Sequence, residues 1–340
     1  MGKKYFRISS LFISLIMVST LLISCKKTEV KKIEKVRLNE VVRSVFYAPM
    51  YVAINKGFFK EQGIDIELTT GQGADKTMQQ VLSGSVDIGF AGPEQNIYIY
   101  NQKREDLPIV FAQLTQRDGS FLVGRKKEDN FTWESLRGKT IIGGRPGGVP
   151  EMALEYVLKK HGLDPSKDVE LITNLAFTAT AGAFKSGTGD YVALFEPTAT
   201  MLEIDNSGSI VASIGESAGA ISYTCFFATK SYLDKNEDLI LRFLKAIYKG
   251  QQWVLSNSDD AIAKEIISFF PGTDEKVITN VISNYKKINA YAENPLVNEE
   301  DYTRLMDVIQ SYNKDLIPER PPFNVLIDNK FSKKIMEEKK

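Results

Sequence analysis

Two glutamates that stand beside prolines are the strongest candidates in this chain for binding a ligand. Glu94 follows Gly92-Pro93, and Glu196 precedes Pro197. A carboxylate at a helix start is favoured by the positive end of the helix dipole, and it can also accept hydrogen bonds from a ligand. Because no base, nucleophile or metal-ligand cluster lies near either glutamate in sequence, we predict binding to the N–H groups of a ligand and no catalytic residue.

The two glutamates end two copies of one pattern. From Ser83 the chain reads Ser-Gly, an aspartate, the short apolar strand 88–91 and then the proline and glutamate. The same pattern begins again at Ser186, about a hundred residues later, and ends in Glu196-Pro197. Helical patterns flank both strands. The repeat therefore predicts an α/β protein with two lobes built on one strand-helix-strand plan.

Other polar and aromatic candidates stand in loops that follow predicted strands. Phe46 and Tyr47 precede a helix, and Gln72 lies between two glycines. Ligands of open α/β sheets bind at the carboxyl ends of strands, so these loops are expected to border a crevice. Packing against the helix start is the alternative for the aromatics, and plain turn chemistry is the alternative for the glycines.

A glycine-rich loop over residues 143–150 contains Arg145. Its backbone amides and this arginine could receive an anion, although Arg145 could equally be a solvated loop residue. The loop lacks the Gly-Lys-Ser/Thr ending of a phosphate loop and the spacing of a dinucleotide fingerprint. We therefore predict no nucleotide cofactor.

The beginning of the chain has the pattern of an export signal. Basic residues precede an apolar stretch from residue 8 to residue 23, which ends in Leu-Ile-Ser before Cys25. About 16 apolar residues are short for a membrane-spanning helix. The cysteine resembles that of a bacterial lipobox, which implies a lipoprotein whose mature chain begins at a lipid-modified (palmitate-bearing) Cys25. An ordinary signal peptide or an N-terminal anchor is the alternative.

Composition narrows the class of protein. The chain has 43 basic and 43 acidic residues, and no basic stripe indicates a nucleic-acid surface. Cys225 is the second of two cysteines and lies in an apolar stretch, so we expect a buried core residue and no disulfide. One histidine gives little support to a metal site.

The repeat and the signal predict the domain organisation. We expect the chain to cross between lobes near residues 117–120 and 220–222, and the helices after residue 239 to pack on the first lobe. The predicted parts are a signal peptide over 1–24, a flexible tether over 25–35, lobe I over 36–117 and 223–325, lobe II over 118–222 and a C-terminal tail over 326–340.

Several motifs resemble one known family. They are Ala48-Pro49-Met50-Tyr51-Val52-Ala53, Lys56-Gly57-Phe58-Phe59, Leu82-Ser83-Gly84-Ser85-Val86-Asp87-Ile88-Gly89 and Glu196-Pro197. Over roughly residues 36 to 325, the sequence is similar to the substrate-binding proteins of ABC importers for nitrate, sulfonates, taurine and thiamine pyrimidine precursors (SsuA/THI5-like). The resemblance implies the type II periplasmic binding protein fold, with two lobes, a mostly parallel sheet in each and a ligand cleft between them.

The resemblance also implies a function. We expect a monomer without a cofactor, held by its lipid at the extracytoplasmic face of the cell membrane, which passes a small organic solute to an ABC permease. The solute is a sulfonate-type anion or a heteroaromatic that resembles a thiamine precursor. A pyrimidine-synthesising or pyrimidine-modifying enzyme on the same fold is the alternative. The implied ligand-binding residues are Phe46, Tyr47, Gln72, Gly92, Glu94, Gln95, Arg145, Gly147, Gly148, Glu196 and Tyr223.

Overall fold

The structure is a computed structural model that describes residues 33–338. The predicted signal peptide, Cys25 and most of the predicted tether lie outside these residues. Residues from Glu34 onward form one compact unit. In the part of the chain that the structure describes, no helix combines the length and the apolar composition that a membrane span requires.

The strands of the described chain form two five-stranded sheets. Sheet I has the order β2-β1-β3-β10-β4, and sheet II has the order β7-β6-β8-β5-β9. The strands are β1 (Glu34–Glu40), β2 (Ile64–Thr70), β3 (Ile88–Ala91), β4 (Pro108–Thr115), β5 (Ser120–Gly124), β6 (Thr140–Ile142), β7 (Glu170–Ile172), β8 (Tyr191–Phe195), β9 (Ser209–Ser213) and β10 (Thr224–Thr229).

The two sheets have the same plan. In sheet I, β1 pairs in parallel with β2 and β3, whereas β10 runs antiparallel to β3 and β4. In sheet II, β6 pairs in parallel with β7 and β8, whereas β5 runs antiparallel to β8 and β9. Each sheet therefore has one antiparallel strand at the same position. β3 and β8, the strands of the sequence repeat, occupy equivalent central places.

Helices connect and cover the strands. Gly84, with φ of 72°, ends the helix before β3, which is the role that its sequence position predicts. The helices are α1 (Ala48–Asn55), α2 (Phe58–Glu61), α3 (Ala74–Leu82), α4 (Glu94–Asn101), α5 (Val149–Lys160), α6 (Thr180–Lys185), α7 (Thr198–Ile204), α8 (Ile214–Ala218), α9 (Lys230–Lys235), α10 (Glu237–Ser256), α11 (Asp259–Ile266), α12 (Glu275–Lys287), α13 (Glu299–Tyr312), α14 (Phe323–Leu326) and α15 (Lys330–Glu337).

Burial explains why these apolar stretches become strands. All residues of β3 and β4 are buried, as expected for strands covered on both faces. Cys225 is a free cysteine without exposed surface in β10, between these two strands. The helix α10 packs against α1, α2 and α15 and covers sheet I.

Two C-terminal elements differ from the sequence-based expectation in where they pack. The helix α13 contacts α5, which follows a strand of sheet II, so it does not pack on the first lobe alone. The segment that was predicted as a tail contains α15, which packs on β4. Phe331 and Ile335 are buried, and the Ser332 hydroxyl donates to the Phe111 carbonyl over 3.1 Å. The apolar side of α15 thus completes the core of sheet I.

Candidate functional site

The chain passes between the sheets at two adjacent segments, residues 116–119 and 219–223. The backbone N–H of Ile221 donates to the Gln116 carbonyl over 3.0 Å, and the N–H of Tyr223 donates to the Thr115 carbonyl over 3.3 Å. The two crossings therefore lie side by side. Paired crossings of this kind form a short hinge about which two lobes can rotate. We call the region beside this hinge, in which side chains that follow strands of the two sheets meet, the cleft.

Four aromatic side chains fill the middle of the cleft. Phe46, from the loop after β1, is only 1% exposed. Its ring centroid lies 4.8 Å from that of Tyr285, 5.6 Å from that of Tyr223 and 6.2 Å from that of Phe195. These four residues, which we call the aromatic cluster, come from both sheets, from the hinge and from α12. Sequence alone could place Phe46 in a crevice loop but could not identify these partners.

Gly119 in the first crossing makes room for the aromatic cluster. A Cβ atom there would lie 2.9 Å from a ring atom of Phe195 and 3.0 Å from ring atoms of Phe46. The Gly119 carbonyl also accepts a hydrogen bond from the Tyr285 hydroxyl over 3.3 Å. The hinge and the cluster are thus in direct contact, and a side chain at this position would push the rings away.

Tyr47 lies beside the aromatic cluster, against the floor of sheet I. Its ring packs edge-on against Phe90 of β3, with the centroids 4.6 Å apart, and the residue is 5% exposed. Burial raises the pKa of the Tyr47 phenol, and the carboxyl group of Glu40 acts in the same direction. The phenol therefore stays protonated and can act as a hydrogen-bond donor.

Glu94 is buried at the first position of α4. Its Oε1 accepts from the Gln95 amide over 3.2 Å, but its Oε2 has no hydrogen-bond partner among the described residues. A Cβ atom at Gly92 would lie 1.9 Å from this Oε2, so a side chain there would require the Glu94 carboxyl group to move. Burial raises the pKa of Glu94 to about 7. The Tyr98 hydroxyl, one helical turn later, also lacks a partner in the described chain. Buried polar atoms without partners are unusual in proteins, and a bound water, ion or ligand can supply the missing hydrogen bond.

Glu196 is buried at the equivalent position of sheet II, but protein groups surround its carboxylate. Its Oε2 accepts from the Thr200 N–H over 2.9 Å. Its Oε1 accepts from the Thr200 hydroxyl and from the Asn284 amide, each over 2.8 Å. Since Asn284 belongs to α12, this glutamate joins the end of β8 to a helix that packs against α11 and against the turn 45–47 before α1.

Asp118 in the first crossing is a site residue that sequence reasoning missed. It has no exposed surface, and its Oδ1 accepts from the Ser120 N–H over 2.8 Å. Its Oδ2 accepts no well-formed hydrogen bond within the described residues, although the Tyr223 hydroxyl lies beside the carboxyl group. Burial raises the pKa of Asp118. The sequence Arg-Asp-Gly-Ser suggested only a polar turn, so nothing in it indicated this burial.

The glycine-rich loop already holds a carboxylate of the protein itself. The Gly144 N–H donates to Glu151 Oε2 over 2.5 Å, and Glu151 is only 1% exposed. Its Oε1 has no partner in the described part of the chain, and burial raises its pKa to about 7. Glu151 was not among the predicted residues, although its position two residues after Val149 at the start of α5 was a signal that could have found it.

The remaining predicted residues lie at or near the rim of the cleft. Gln72 is exposed, with φ of 61°. The Arg145 side chain is 62% exposed, and its Nη2 lies 3.8 Å from Asp75 Oδ1, across the cleft. Gly147, with φ of 79°, and Gly148 are half-buried. The structure thus brings Phe46, Tyr47, Glu94, Glu196 and Tyr223 into the cleft and leaves Gln72 and Arg145 outside its buried part.

Glu40 is a further buried carboxyl group at the end of β1. The Tyr51 hydroxyl donates to its Oε2 over 2.6 Å, and Arg43 Nε lies 3.1 Å from its Oε1. Among the described residues, no group of three or more histidine, cysteine or acidic side chains could hold a metal ion. The cleft therefore offers aromatic surface, phenols and carboxyl groups to a bound molecule.

Comparison with known proteins gives the family. Residues 45–261 match the NMT1/THI5-like family. The chain is 45% identical over 336 residues to YtlA of Bacillus subtilis (strain 168), which is provisionally named a binding protein, with 99% of each chain covered. The chain therefore belongs to the NMT1/THI5-like family, as its motifs predict.

The chain is also similar to a curated enzyme and to a solved solute-binding protein. Identity is 25% over 291 residues to the 4-amino-5-hydroxymethyl-2-methylpyrimidine phosphate synthase THI13 of Saccharomyces cerevisiae, covering 76% of this chain and 82% of that one. The alkanesulfonate-binding protein SsuA from Xanthomonas axonopodis pv. citri, solved with MOPS bound, has a TM-score of 0.66 at 16% identity and covers 87% and 98% of the two chains. The predicted periplasmic binding protein fold is thereby confirmed.

Proposed function

We propose that this protein is the solute-binding component of an ABC importer, lipid-anchored at the extracytoplasmic face of the membrane. It captures a small organic solute between its two lobes and delivers it to the permease. The observation that carries the proposal is the aromatic cluster with the unpartnered carboxyl oxygen of Glu94 nearby, enclosed between two sheets that are joined by paired crossings. The family and its similarity to a named binding protein support this function.

The proposed mechanism is closure of the lobes on the solute. The lobes are those predicted from the sequence, with bounds of 36–117 and 223–325 for lobe I and 118–222 for lobe II. A solute that contacts both lobes prefers the closed state and shifts the population towards it. Rings of the aromatic cluster bind the flat or apolar part of the solute, while Glu94, Tyr47 and Tyr223 select its polar groups.

The proposed site contains the predicted residues, and their roles differ. Phe46, Tyr47, Glu94 and Tyr223 touch the solute within the cleft. Glu196 acts indirectly, since its carboxylate joins β8 to Asn284 in the closed form. Gly92 and Gln95 shape the surroundings of Glu94, while Gln72, Arg145, Gly147 and Gly148 form the rim.

The anchor and the partners complete the proposal. Cys25 carries the lipid, the protein acts as a monomer, and its partners are the solute, the permease and the membrane. One lipid group contributes about 0.8 kcal/mol per buried methylene, so several chains hold the protein at the membrane surface. Replacing Cys25 with alanine should leave the precursor uncut at this site or release the protein from the membrane fraction. A variant that fractionates and migrates like the wild type would refute this anchor.

A pyrimidine-synthesising or pyrimidine-modifying enzyme is the second candidate, because one relative is named as such a synthase. One experiment separates the two functions. The small molecule that co-purifies with the chain is identified by mass spectrometry and labelled, and its uptake is measured in cells with and without this protein. Uptake that depends on the protein supports the importer. Conversion of the molecule by the purified protein alone would support the enzyme.

A further inference from the structure

Acidic groups dominate the buried surface around the cleft. Five carboxyl-bearing residues stand at or just after the end of a strand, in the first turn of a helix that follows a strand, or in the first crossing, and none is more than 4% exposed. They are Glu40, Glu94, Asp118, Glu151 and Glu196. Each would lose hydration energy in its charged form unless a partner replaced the water.

The cations of this region do not balance these acids. Arg43 pairs with Glu40. Arg117, in the first crossing, is half-buried, its charge acts on Asp301, and its Nε has no hydrogen-bond partner among the described residues. Arg145 stands at the exposed rim beside Asp75. None of the ion pairs found among the described residues involves Glu94, Asp118, Glu151 or Glu196. A solute in the cleft therefore meets uncompensated carboxyl groups.

Glu94 is the one of these groups best placed to receive a charge. Its Oε2 is buried and has no partner in the described chain, and its charge acts on Tyr47 and on Tyr223 of the aromatic cluster. The other titratable groups that act on it or on which it acts are Asp75 from the first turn of α3, Tyr47 from the loop after β1, Tyr98 from α4, Tyr223 from the hinge and Cys225 from β10. None of these is a cation.

We infer that the solute is a nitrogen cation, a protonated amine or an amino-substituted heterocycle, whose N–H groups donate to Glu94 while its body lies against the aromatic cluster. This inference rests on the proposed binding function and selects one of its two solute classes. An ammonium or amidine-like group satisfies the free Oε2 through a charge-assisted hydrogen bond, and aromatic faces add attraction for a cation. A sulfonate could enter only beside protonated carboxyl groups, since two negative charges in a buried site repel each other.

The two solute classes predict opposite dependences on pH. Since the pKa of Glu94 is raised to about 7, its ionised fraction grows across neutral pH. A cation prefers the ionised form, so its affinity should rise by about tenfold between about pH 6 and about pH 8. An anion prefers the protonated form, so its affinity should fall over the same interval.

A matched pair of probes tests the inference. Benzylamine and benzenesulfonate carry opposite charges on the same ring, and each keeps its charge over this pH interval. They are titrated by calorimetry into the detergent-solubilised full chain at both pH values, together with amines and sulfonates of other carbon skeletons. The variant is Glu94→Gln, which keeps the size of the side chain. The control is Glu105→Gln, which removes one exposed carboxylate from the loop after α4.

The inference expects amines to bind more tightly than the matching sulfonates, with an affinity that rises with pH. Glu94→Gln should weaken amine binding at pH 8 by at least about tenfold and abolish the rise, while Glu105→Gln should bind as the wild type. Preferential binding of sulfonates, weakening as pH rises, would overturn the inference and leave the importer function standing. Equal amine affinity in wild type and Glu94→Gln would also overturn it. If no probe of either class binds while protein-dependent uptake of the co-purified solute is observed, the inference fails and the importer function is retained.

Discussion

Glu94 and Glu196 stand at equivalent positions of the two sheets, and yet their carboxylates have different surroundings. Glu196 accepts three hydrogen bonds from Thr200 and Asn284. Glu94 accepts one, from its neighbour Gln95, and keeps one buried oxygen without a partner among the described residues. The glutamate of the second copy thus joins β8 to α12, whereas the glutamate of the first copy has one acceptor oxygen without a hydrogen bond from the described residues.

The order of two residues explains the difference. In sheet I the proline comes first, so Pro93 is the N-cap of α4 and Glu94 is already inside the helix. In sheet II the glutamate comes first, so Pro197 is the N-cap of α7 and Glu196 lies just before it. From that place its side chain folds back onto the free N–H of Thr200. Glu94 has passed the position from which such capping is possible, and the residue one turn later is Tyr98 rather than a threonine.

The largest expected effect concerns how Glu94 makes stability depend on pH. Its pKa is about 7 in the folded protein against 4.5 as the reference value, so folding favours its protonated form. The stabilisation is therefore complete below about pH 4.5 and is lost as pH rises towards 7, by about 3 kcal/mol. The free energy of unfolding of Glu94→Gln, measured by urea titration at several pH values, should lack this loss. Glu40 and Glu151 still make the stability of the variant depend on pH, so only the difference between variant and wild type reports on Glu94. Parallel pH profiles for the two proteins would refute the buried, unpartnered state of Glu94.

The second effect tests whether the hydrogen bonds that Glu196 accepts stabilise the protein. Replacing it with alanine leaves the Thr200 N–H, the Thr200 hydroxyl and the Asn284 amide without their acceptor, which should cost about 2 to 3 kcal/mol. For a protein of this size, the melting temperature of the solute-free protein should fall by roughly 5 °C. The melting temperature of Glu94→Gln at neutral pH should not fall. Equal melting temperatures for Glu196→Ala and the wild type would show that the two glutamates do not differ in this way.

The hinge offers a third, smaller test. Gly119→Ala places a methyl group within about 3 Å of the rings of Phe46 and Phe195, and overpacking of this kind costs about 1 to 3 kcal/mol. Because Phe46 follows a strand of sheet I and Phe195 ends a strand of sheet II, separation of the two sheets at the cleft would relieve the strain. Small-angle scattering should show a larger radius of gyration than for the wild type, and the affinity for the solute should fall. An unchanged radius with unchanged affinity would indicate that the cluster does not hold the lobes together.

The smallest effect is expected at the rim. The Arg145 and Asp75 side chains are both more than half exposed, and exposed ion pairs contribute about 0 to 1 kcal/mol. Arg145→Ala should therefore change the affinity for the solute by less than about fivefold. A loss of affinity confined to this variant, with Glu94→Gln unaffected, would reverse the comparison and point to an anionic solute.

Local signals made much of the fold predictable. The repeat around β3 and β8, the helix end at Gly84 and the loops before α1 and α5 depend on residues close in sequence, and the structure has them where expected. The contacts of the site residues depend on partners that are distant in sequence. Glu196 meets Asn284, 88 residues away, and Phe46 meets Tyr285. Asp118 belongs to a polar turn that is buried because Gly215 of α8 and Tyr223 of the second crossing lie against it. Sequence spacing contains no information on such meetings.

The most direct test of the central claim uses the molecule that co-purifies with the protein. Once identified by mass spectrometry, this solute is titrated by calorimetry into the solute-free wild type, Glu94→Gln and Glu105→Gln at neutral pH. The account predicts a nitrogen-bearing cation that binds the wild type and Glu105→Gln equally and Glu94→Gln at least about tenfold more weakly, a difference of about 1.4 kcal/mol or more. Equal affinity for all three proteins would contradict it.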